Sequence, residues 1–270
     1  MIELNNVNVS FRSEKKSGFL GFGAERKQIL HNICLKLERG ECLGILGESG
    51  SGKSTMGRVL CGLLKPDSGD VFVEGEQVYQ SKKGKQLLRE KMSIVFQDYT
   101  TSTNPRFRIQ DIIEEGMYVN ERKTKKKINR KEECSKLLQL VGLDDSFKNR
   151  FPHELSGGQL QRVCIARAIA CAPEFILFDE AVSSLDAHTQ VQIMDLLLEL
   201  KEKLGLTYIF ITHDLTSVTY FCDRVIFLKS GTITEEIEVE NIANVKDEYA
   251  KQLLHSIIDF VGGEEDEFIS

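Results

Sequence analysis

The spacing of apolar residues predicts a chain that alternates strands with helices. Apolar and polar residues alternate over residues 4–11 and 33–37, which predicts two half-buried strands. Short, mostly apolar runs predict buried strands at residues 42–46, 175–178 and 207–211, and residues 92–96 predict a further strand. Residues 224–234 predict a closing hairpin around Ser230-Gly231. Buried strands that alternate with helices predict an α/β fold with a mainly parallel sheet.

Helices are predicted where apolar residues recur every three or four positions. Residues 54–63 and 189–204 show this spacing, and residues 247–258 form a further candidate. Gly205 is well placed to end the second of these helices. The predicted buried faces consist of Met56, Val59, Leu60 and Leu63 in the first helix and of Ile193, Leu196, Leu197, Leu200 and Leu204 in the second.

The segments between these elements differ in charge and length. Residues 13–28 contain three glycines and mixed charges, and residues 98–108 are mostly polar, so both predict loops. Residues 109–171 look helical for most of their length, which is too long for a simple crossover, and we expect a subdomain. Within it, the basic residues 122–133 predict a solvated face, with docking of an acidic partner surface as the alternative. The acidic tail 262–270 is expected to fray.

Composition narrows the class of protein. The 270 residues are 41% hydrophobic, enough for a sizeable core, and the net charge of −6 argues against nonspecific nucleic-acid binding. No apolar run approaches the roughly 20 residues that span a bilayer, and no signal-peptide pattern begins the chain. The seven cysteines form no C-x-x-C pair, which favours reduced thiols. We expect a protein that is cytosolic or peripheral on the cytosolic side of the membrane.

The glycine-rich stretch at residues 47–55 carries the strongest chemical signal. Its sequence, GESGSGKST, has Gly47, four residues, then Gly52, Lys53 and Ser54, which is the P-loop pattern. Glycines let successive backbone N–H groups converge on phosphate oxygens, and the following helix adds its positive N-terminal end. A chance match in a glycine-rich turn is the alternative, but the strand before the loop and the helix after it favour phosphate binding.

Two further motifs complement the P-loop. Asp179 and Glu180 follow a buried strand, where a carboxylate can hold Mg²⁺ and a second can activate or orient water. The sequence LSGGQ at residues 155–159 begins a predicted helix and forms another anion-binding end. The chain thus contains two helix N-termini suited to binding phosphate but only one complete set of nucleotide-binding residues. The economical interpretation is that the second start serves a nucleotide held by another subunit.

Together these motifs resemble the ATP-binding subunit of an ABC transporter, over about residues 1–260. LSGGQ is similar to the signature of that family, Gln97 to its Q-loop glutamine, and His213 to its switch histidine. Residues 183–186, which end at Asp186, are similar to its D-loop. The resemblance implies a P-loop NTPase three-layer core with a mainly parallel sheet, an antiparallel β-subdomain and an inserted α-helical subdomain.

The resemblance also implies roles for individual residues, with ATP and Mg²⁺ as cofactors. The cradle for the nucleotide would comprise Gly47, Glu48, Ser49, Gly50, Ser51, Gly52, Lys53, Ser54 and Thr55. Ser156, Gly157, Gly158 and Gln159 would clamp ATP held by a partner, with Asp186 also at the nucleotide. Ser54, Gln97 and Asp179 would support the metal, and Glu180, His213 and Gln97 would act in catalysis, with Glu180 as the base.

Phe11 stands where the family usually has an aromatic residue that stacks on adenine. A phenyl ring keeps the π-face of the family's usual tyrosine but lacks its hydroxyl. Phe19 and Phe22 are rivals for this role, and a core position for Phe11 is the alternative.

Domain organisation and partners follow from the same resemblance. Residues 1–245 would form the ABC ATPase domain, with the helical subdomain at about 98–172, and residues 246–270 a C-terminal helix and acidic tail. Two such domains would sandwich ATP head to tail, the companion being a second related ATPase or a copy of this chain. Two membrane permease subunits and an extracytoplasmic substrate-binding protein would complete the complex, without nucleic acid, at the cytoplasmic side of the membrane.

A finer resemblance concerns the transported substrate. Residues 101–106, TSTNPR, are similar to a segment of the oligopeptide/dipeptide/nickel importer group. Residues 159–164 and 179–183 look most like the second ATP-binding subunit of nickel importers, which implies uptake of nickel or a metal chelate. Peptide import is the alternative, and a soluble ABC ATPase outside transport is a further one. The group's C-terminal H-P-Y-T pattern is reduced here to Glu248-Tyr249-Ala250.

Overall fold

Ten strands and eight α-helices make up the part of the chain that the structure, a computed structural model, describes: residues 1–12 and 26–262, with side chains to residue 255. The strands are β1 (Ile2–Arg12), β2 (Arg26–Leu37), β3 (Cys42–Leu46), β4 (Ser68–Val73), β5 (Glu76–Gln77), β6 (Met92–Phe96), β7 (Phe175–Asp179), β8 (Thr207–Thr212), β9 (Arg224–Lys229) and β10 (Thr232–Glu238). The helices are α1 (Lys53–Leu60), α2 (Lys82–Lys91), α3 (Ile109–Thr124), α4 (Arg130–Leu140), α5 (Gly157–Ala170), α6 (Ala187–Leu204), α7 (Leu215–Phe221) and α8 (Glu248–Gly262).

These elements group into two units. The first comprises Met1–Glu38, Cys42–Gly84 and Ile211–Ser270, and the second comprises Arg39–Glu41 and Lys85–Phe210. The helical segment expected at residues 98–172 therefore lies within the second unit, and α8 belongs to the first.

The first unit contains an antiparallel sheet of strand order β2-β1-β4-β5. Ile2 pairs with Leu37 on one side and with Val73 on the other, and all three side chains are buried. The same unit holds β3 parallel to β9, with β10 antiparallel at the far side of β9. The expected antiparallel β-subdomain and the closing hairpin are both confirmed, although β10 extends to Glu238.

The second unit combines parallel strands with the inserted helices. β6 runs parallel to β7, with Met92 opposite Phe175 and Phe96 opposite Asp179. Helix α3 packs against α5 at a close crossing, where a Cβ on Gly116 would lie 2.2 Å from the carbonyl oxygen of Arg167. A glycine is therefore required there by the approach of the two helices.

Several predicted boundaries differ from those of the structure. Helix α1 ends at Leu60 rather than at residue 63, because Gly62 adopts φ +73° and turns the chain out of the helix. Leu63 consequently lies outside the helix and is 63% exposed, so its predicted place on the buried face is wrong. Leu204 is also exposed, whereas Gly205 ends α6 at φ +63° as predicted.

The strand and loop predictions are wrong in smaller ways. Strand β2 begins at Arg26, so residues 26–28 pair with β1 rather than extending the predicted loop, and residues 13–25 lie outside the described part.

Two helices of the structure, α2 and α7, were not predicted from the sequence. Helix α7 is only seven residues long and is begun by Asp214, whose carboxylate accepts from the N–H groups of Thr216 and Ser217 at 2.9 and 3.1 Å. Of the predicted tail at residues 262–270, the first residue ends α8 and residues 263–270 are outside the described residues.

The aromatic cluster of the second unit provides a test of its packing. Phe178 is fully buried, meets Tyr208 edge to face at 5.1 Å between ring centroids, and lies 6.4 Å from Phe210. We expect Phe178→Ala to lower the free energy of unfolding by about 3–5 kcal/mol, because it removes a ring from a close-packed core. Phe96→Ala, at a 41% exposed ring on the neighbouring strand, should cost less than about 1 kcal/mol. Urea denaturation of both variants measures the difference, and equal losses would contradict the assigned core.

Candidate functional site

The P-loop connects β3 to α1 within the first unit. The buried strand delivers the chain to Gly47, and α1 begins at Lys53 with Gly52 as its N-cap at φ +110°. Gly50 has φ +81°, and a Cβ placed on it would meet no atom within 4 Å. The left-handed conformation explains both glycines, and there is open space beside Gly50.

Backbone groups of β9 and of the β9–β10 turn contact the P-loop. A Cβ on Gly47 would lie 2.3 Å from the carbonyl oxygen of Leu228 on β9, so no larger residue fits there. The N–H of Gly231, in the β9–β10 turn, donates to the carbonyl oxygen of Ser51 at 2.7 Å. Gly231 itself accepts from the N–H of His31 at 2.8 Å. The hairpin turn is thus part of the support of the loop.

The polar groups of the loop fit a phosphate ligand. Lys53 Nζ is buried and donates to the carbonyl oxygens of Gly47 and Glu48 at 2.6 and 2.9 Å. The Ser51 hydroxyl is buried and has no hydrogen-bond partner within the described ranges. The first-turn N–H groups of α1, from Lys53 to Thr55, have no acceptor four residues earlier inside the helix. These donors converge on the loop, where an anion with several acceptor oxygens would satisfy them.

The second unit brings another group of predicted residues together at the ends of β6 and β7. Phe96 and Asp179 are opposite each other in the parallel ladder, so Gln97 and Glu180 follow at the same sheet edge. Gln97 Nε2 lies 3.4 Å from the Ser183 hydroxyl, which donates to the Glu180 carbonyl oxygen at 2.9 Å. Glu180 has φ +49°, a conformation that is uncommon outside glycine. The structure therefore unites Gln97, Asp179, Glu180 and the start of the predicted D-loop.

A tight turn follows Gln97 and fixes where the segment goes next. Asp98 accepts from the Thr100 hydroxyl at 2.5 Å and from the N–H groups of Thr100 and Thr101, both at 3.0 Å. These bonds favour the carboxylate and lower the pKa of Asp98 to about 2. The turn is therefore held by three hydrogen bonds to one carboxylate oxygen of Asp98.

The LSGGQ segment forms a capped helix start, as predicted. The Ser156 hydroxyl accepts from the N–H of Gln159 at 3.3 Å, and the Gln159 side chain accepts from the N–H of Ser156 at 3.0 Å. Cβ atoms on Gly157 and Gly158 would lie 2.6 Å from the Tyr99 hydroxyl and 2.5 Å from Thr189 Cγ2, respectively. The two glycines therefore let α5 begin in close contact with the Q-loop segment and with α6.

The remaining predicted residues lie at element ends. Asp186 caps α6 and accepts from the N–H and hydroxyl of Thr189 at 3.0 and 2.7 Å, and the Thr189 hydroxyl bond contributes most to lowering the pKa of Asp186. His213 is exposed directly after β8.

The position of Phe11 corrects one alternative. Its ring is 41% exposed on β1, so the core position considered for it is wrong, whereas a surface for stacking remains open. The rivals Phe19 and Phe22 are outside the described residues.

Residues 1–12 and 26–262 contain no group of three or more His, Cys, Asp or Glu side chains arranged to hold a metal ion. All seven cysteines, which lie in this part of the chain, are free thiols, and four of them are buried. No helix in the same ranges combines the length and apolarity needed to cross a membrane.

Comparison with known proteins identifies the family. The ABC transporter family matches residues 30–183, which is more than half of the chain. This chain belongs to the ABC transporter family. One similar protein is the metal-staphylopine import system ATP-binding protein CntF of Staphylococcus aureus strain NCTC 8325, at 38% identity over 96% of this chain and all of that protein.

Two further comparisons agree with this ABC membership. The oligopeptide transport ATP-binding protein OppF of Bacillus subtilis is 43% identical over 84% of this chain and 75% of that protein. Among solved structures, the dimeric post-hydrolysis state of the ATP-binding cassette MJ0796 bound to ADP and Pi matches at a TM-score of 0.74. It shares 31% identity over 88% of this chain and 99% of that chain. The predicted ABC ATPase fold is therefore confirmed.

The chain is thus an ATP-binding subunit of an ABC transporter of the importer type. Its activity is ATP hydrolysis coupled to transport, with ATP and Mg²⁺ as cofactors.

Two residues that contact the P-loop were not predicted from the sequence: Gly231 in the β9–β10 turn and Tyr249 on α8. The Ser-Gly dipeptide between two strands was a visible turn signal, but its contact with the P-loop had no sequence signature.

Because the Leu228 backbone lies so close to Gly47, adding a single methyl group at Gly47 should strongly affect ATP binding. We expect Gly47→Ala to weaken ATP binding by at least about tenfold, because the added Cβ would collide with the backbone of Leu228 and displace the loop. Gly75→Ala is the matched control: Gly75 has φ +76° but an added Cβ would meet nothing within 4 Å. It should lose about 1 kcal/mol of stability and keep its affinity for ATP. Calorimetric titration with ATP compares them, and unchanged binding by Gly47→Ala would contradict the geometry.

Proposed function

We propose that residues 47–55 are the ATP cradle of this importer subunit. The buried Ser51 hydroxyl, the open space at Gly50 and the first-turn N–H groups of α1 support this assignment. Lys53 would exchange its bonds to the loop carbonyl oxygens for bonds to the terminal phosphates, and the exposed Ser54 hydroxyl would ligate the metal. Bound Mg²⁺ neutralises charge on the phosphate oxygens.

We assign hydrolysis to the cluster at the ends of β6 and β7, with His213. Glu180 would accept the proton of the attacking water, and its backbone is held by the Ser183 hydroxyl. Asp179 and Gln97 would support the metal, and His213 would contact the terminal phosphate. The resemblance to the family and the grouping of Gln97, Glu180 and Ser183 around shared hydrogen bonds support these roles.

The helix start at Ser156 is proposed to complete an ATP site in a companion subunit. Ser156, Gly157, Gly158 and Gln159 present a capped N-terminus with a positive dipole end, and Asp186 would flank the same nucleotide. The MJ0796 cassette, which is dimeric and bound to ADP and Pi, is a precedent for paired cassettes. The companion would be a second related ATPase or a copy of this chain, arranged head to tail.

We propose that the subunit powers uptake of nickel or another metal in chelated form through two separate permease subunits. The match to the whole of a metal-staphylopine import subunit supports this substrate class. The protein would lie peripherally on the cytoplasmic side of the membrane, and a substrate-binding protein would deliver the cargo outside. Oligopeptide import is the second candidate, favoured by the 43% identity to an oligopeptide transport subunit. A soluble ABC ATPase outside transport is less well supported.

Turnover by a Glu180 variant tests the catalytic assignment. We expect Glu180→Gln to keep ATP binding while kcat falls by about 10²- to 10⁴-fold, because the amide cannot accept the proton of water. ATP would then hold a dimer together, visible as an ATP-dependent increase in molar mass by light scattering. Glu202→Gln, at an exposed glutamate of α6, is the control and should hydrolyse ATP normally. Normal phosphate release by Glu180→Gln would remove Glu180 from this role.

Cargo specificity is tested in the assembled complex. The subunit, its permeases and the substrate-binding protein are reconstituted in lipid nanodiscs, and ATP hydrolysis is measured with a nickel chelate or with an oligopeptide. We expect stimulation by the binding protein loaded with the chelate. Stimulation by the peptide alone would replace the metal proposal with peptide import. Failure to copurify with any permease, together with stable nucleic-acid association, would favour the soluble alternative.

A further inference from the structure

A tyrosine from the C-terminal helix contacts the P-loop backbone. The N–H of Glu48 donates to the Tyr249 hydroxyl oxygen at 2.9 Å, across 201 residues of sequence. Tyr249 is only 4% exposed, so the bond is shielded from water. Burial raises the pKa of Tyr249, which further favours the neutral hydroxyl, and this hydroxyl accepts through a lone pair.

Hydrogen bonds from backbone N–H groups to two carboxylates hold the start of α8, and with it Tyr249, in place beside the loop. The carboxylate of Glu235, on β10, accepts from the N–H of Lys246 at 2.9 and 3.0 Å and from the N–H of Asp247 at 2.8 Å. Asp247 in turn accepts from the N–H groups of Tyr249 and Ala250, both at 3.1 Å. These bonds tie the first turn of α8 to the hairpin strand.

The ring of Tyr249 is also fixed from its face. Lys229, at the end of β9, places its Nζ 4.6 Å from the ring centroid, within the range of a cation–π interaction. Strand β9 therefore approaches the loop through the Leu228 carbonyl oxygen near Gly47, and it contacts Tyr249 through Lys229.

One peptide plane is held at both of its ends. The peptide between Gly47 and Glu48 has its N–H bonded to Tyr249 and its carbonyl oxygen bonded to Lys53 Nζ at 2.6 Å. The next carbonyl oxygen, that of Glu48, accepts from the N–H of Ser51 at 3.1 Å and from Lys53. Rotation of this plane would therefore move the acceptors that orient Lys53 and close the loop.

We propose that Tyr249 is a positioning residue for ATP binding. Its hydroxyl fixes the Gly47–Glu48 peptide plane, so that Lys53 and the remaining N–H donors of the loop are already oriented when the triphosphate arrives. This inference rests on the proposed assignment of residues 47–55 as the ATP cradle. It gives a function to the first turn of the C-terminal helix, which the sequence motifs leave unassigned.

Removal of the hydroxyl alone tests the proposal. Tyr249→Phe keeps the ring against Lys229 and deletes only the acceptor of the Glu48 N–H. We expect the Kd for ATP, measured on the purified chain, to rise about three- to tenfold, the size that one hydrogen bond provides. In the assembled complex the KM for ATP should rise by a similar factor, while kcat stays unchanged because no reacting group is touched.

Tyr79→Phe is the matched control for a purely structural effect. The Tyr79 hydroxyl is buried and lies 2.6 Å from the Val59 carbonyl oxygen and 2.7 Å from that of Leu64, at the opposite end of α1 from the P-loop. Its loss should lower the melting temperature and leave the Kd for ATP unchanged. An equal rise in Kd for both variants would overturn a specific role for Tyr249.

Hydrogen exchange tests the bond in the wild-type chain, independently of how any variant folds. The Glu48 amide should be protected from exchange without ATP, and Tyr249→Phe should remove that protection. An unprotected Glu48 amide in the wild type, or an unchanged Kd in Tyr249→Phe, would overturn the proposal. The Lys53→Ala variant distinguishes failure of the Tyr249 proposal from failure of the proposed ATP cradle. If wild type and Lys53→Ala bind ATP with equal affinity, the cradle assignment is wrong. If Lys53→Ala loses affinity for ATP and Tyr249→Phe does not, only the proposed role of Tyr249 is refuted.

Discussion

The orientation of a few backbone N–H groups in the P-loop is the constraint on which the nucleotide chemistry depends. A glycine-rich loop can point these donors inward, but the same glycines give it many other conformations in the absence of support. In this chain the support comes from backbone far away in sequence, at Leu228 and Gly231. The β9–β10 hairpin therefore supports the conformation of the loop to which we assign phosphate binding.

In the second unit, the pairing of strands positions carboxylate and amide groups. Parallel pairing of β6 with β7 brings Phe96 opposite Asp179, so the residues that follow leave the sheet side by side. Gln97 and Glu180 are then connected through the Ser183 hydroxyl. The precision comes from a strand ladder followed by a short hydrogen-bonded turn, and a longer, freer loop would not hold these side chains at fixed separation.

The sequence predicted the elements that carry strong local signals. Strands β3 and β6 have the predicted bounds because each is a short, mostly apolar segment, too short for a helix of ordinary length. Helix α7 was not predicted because seven residues are too few to show a periodic face. Leu63 was wrongly predicted to be buried because the apolar spacing continues past Gly62, where the left-handed backbone turns the chain out of the helix. The P-loop and LSGGQ were visible as strings. Their contacts with Gly231, Tyr99 and Thr189 were not, because such contacts are set by tertiary approach and leave no periodic pattern.

The backbone of Glu180 shows how the fold and the chemistry meet. A glutamate at φ +49° costs of order 1–2 kcal/mol relative to an ordinary conformation, and it persists only where its surroundings hold it. Here the N–H and the hydroxyl of Ser183 both donate to the Glu180 carbonyl oxygen, at 3.2 and 2.9 Å. The positive φ of Glu180 therefore turns the chain out of the extended conformation directly after Asp179, the last residue of β7. Strain of this kind is found at functional sites, so it supports the proposal that Glu180 acts on water beside Asp179, to which we assign support of the metal.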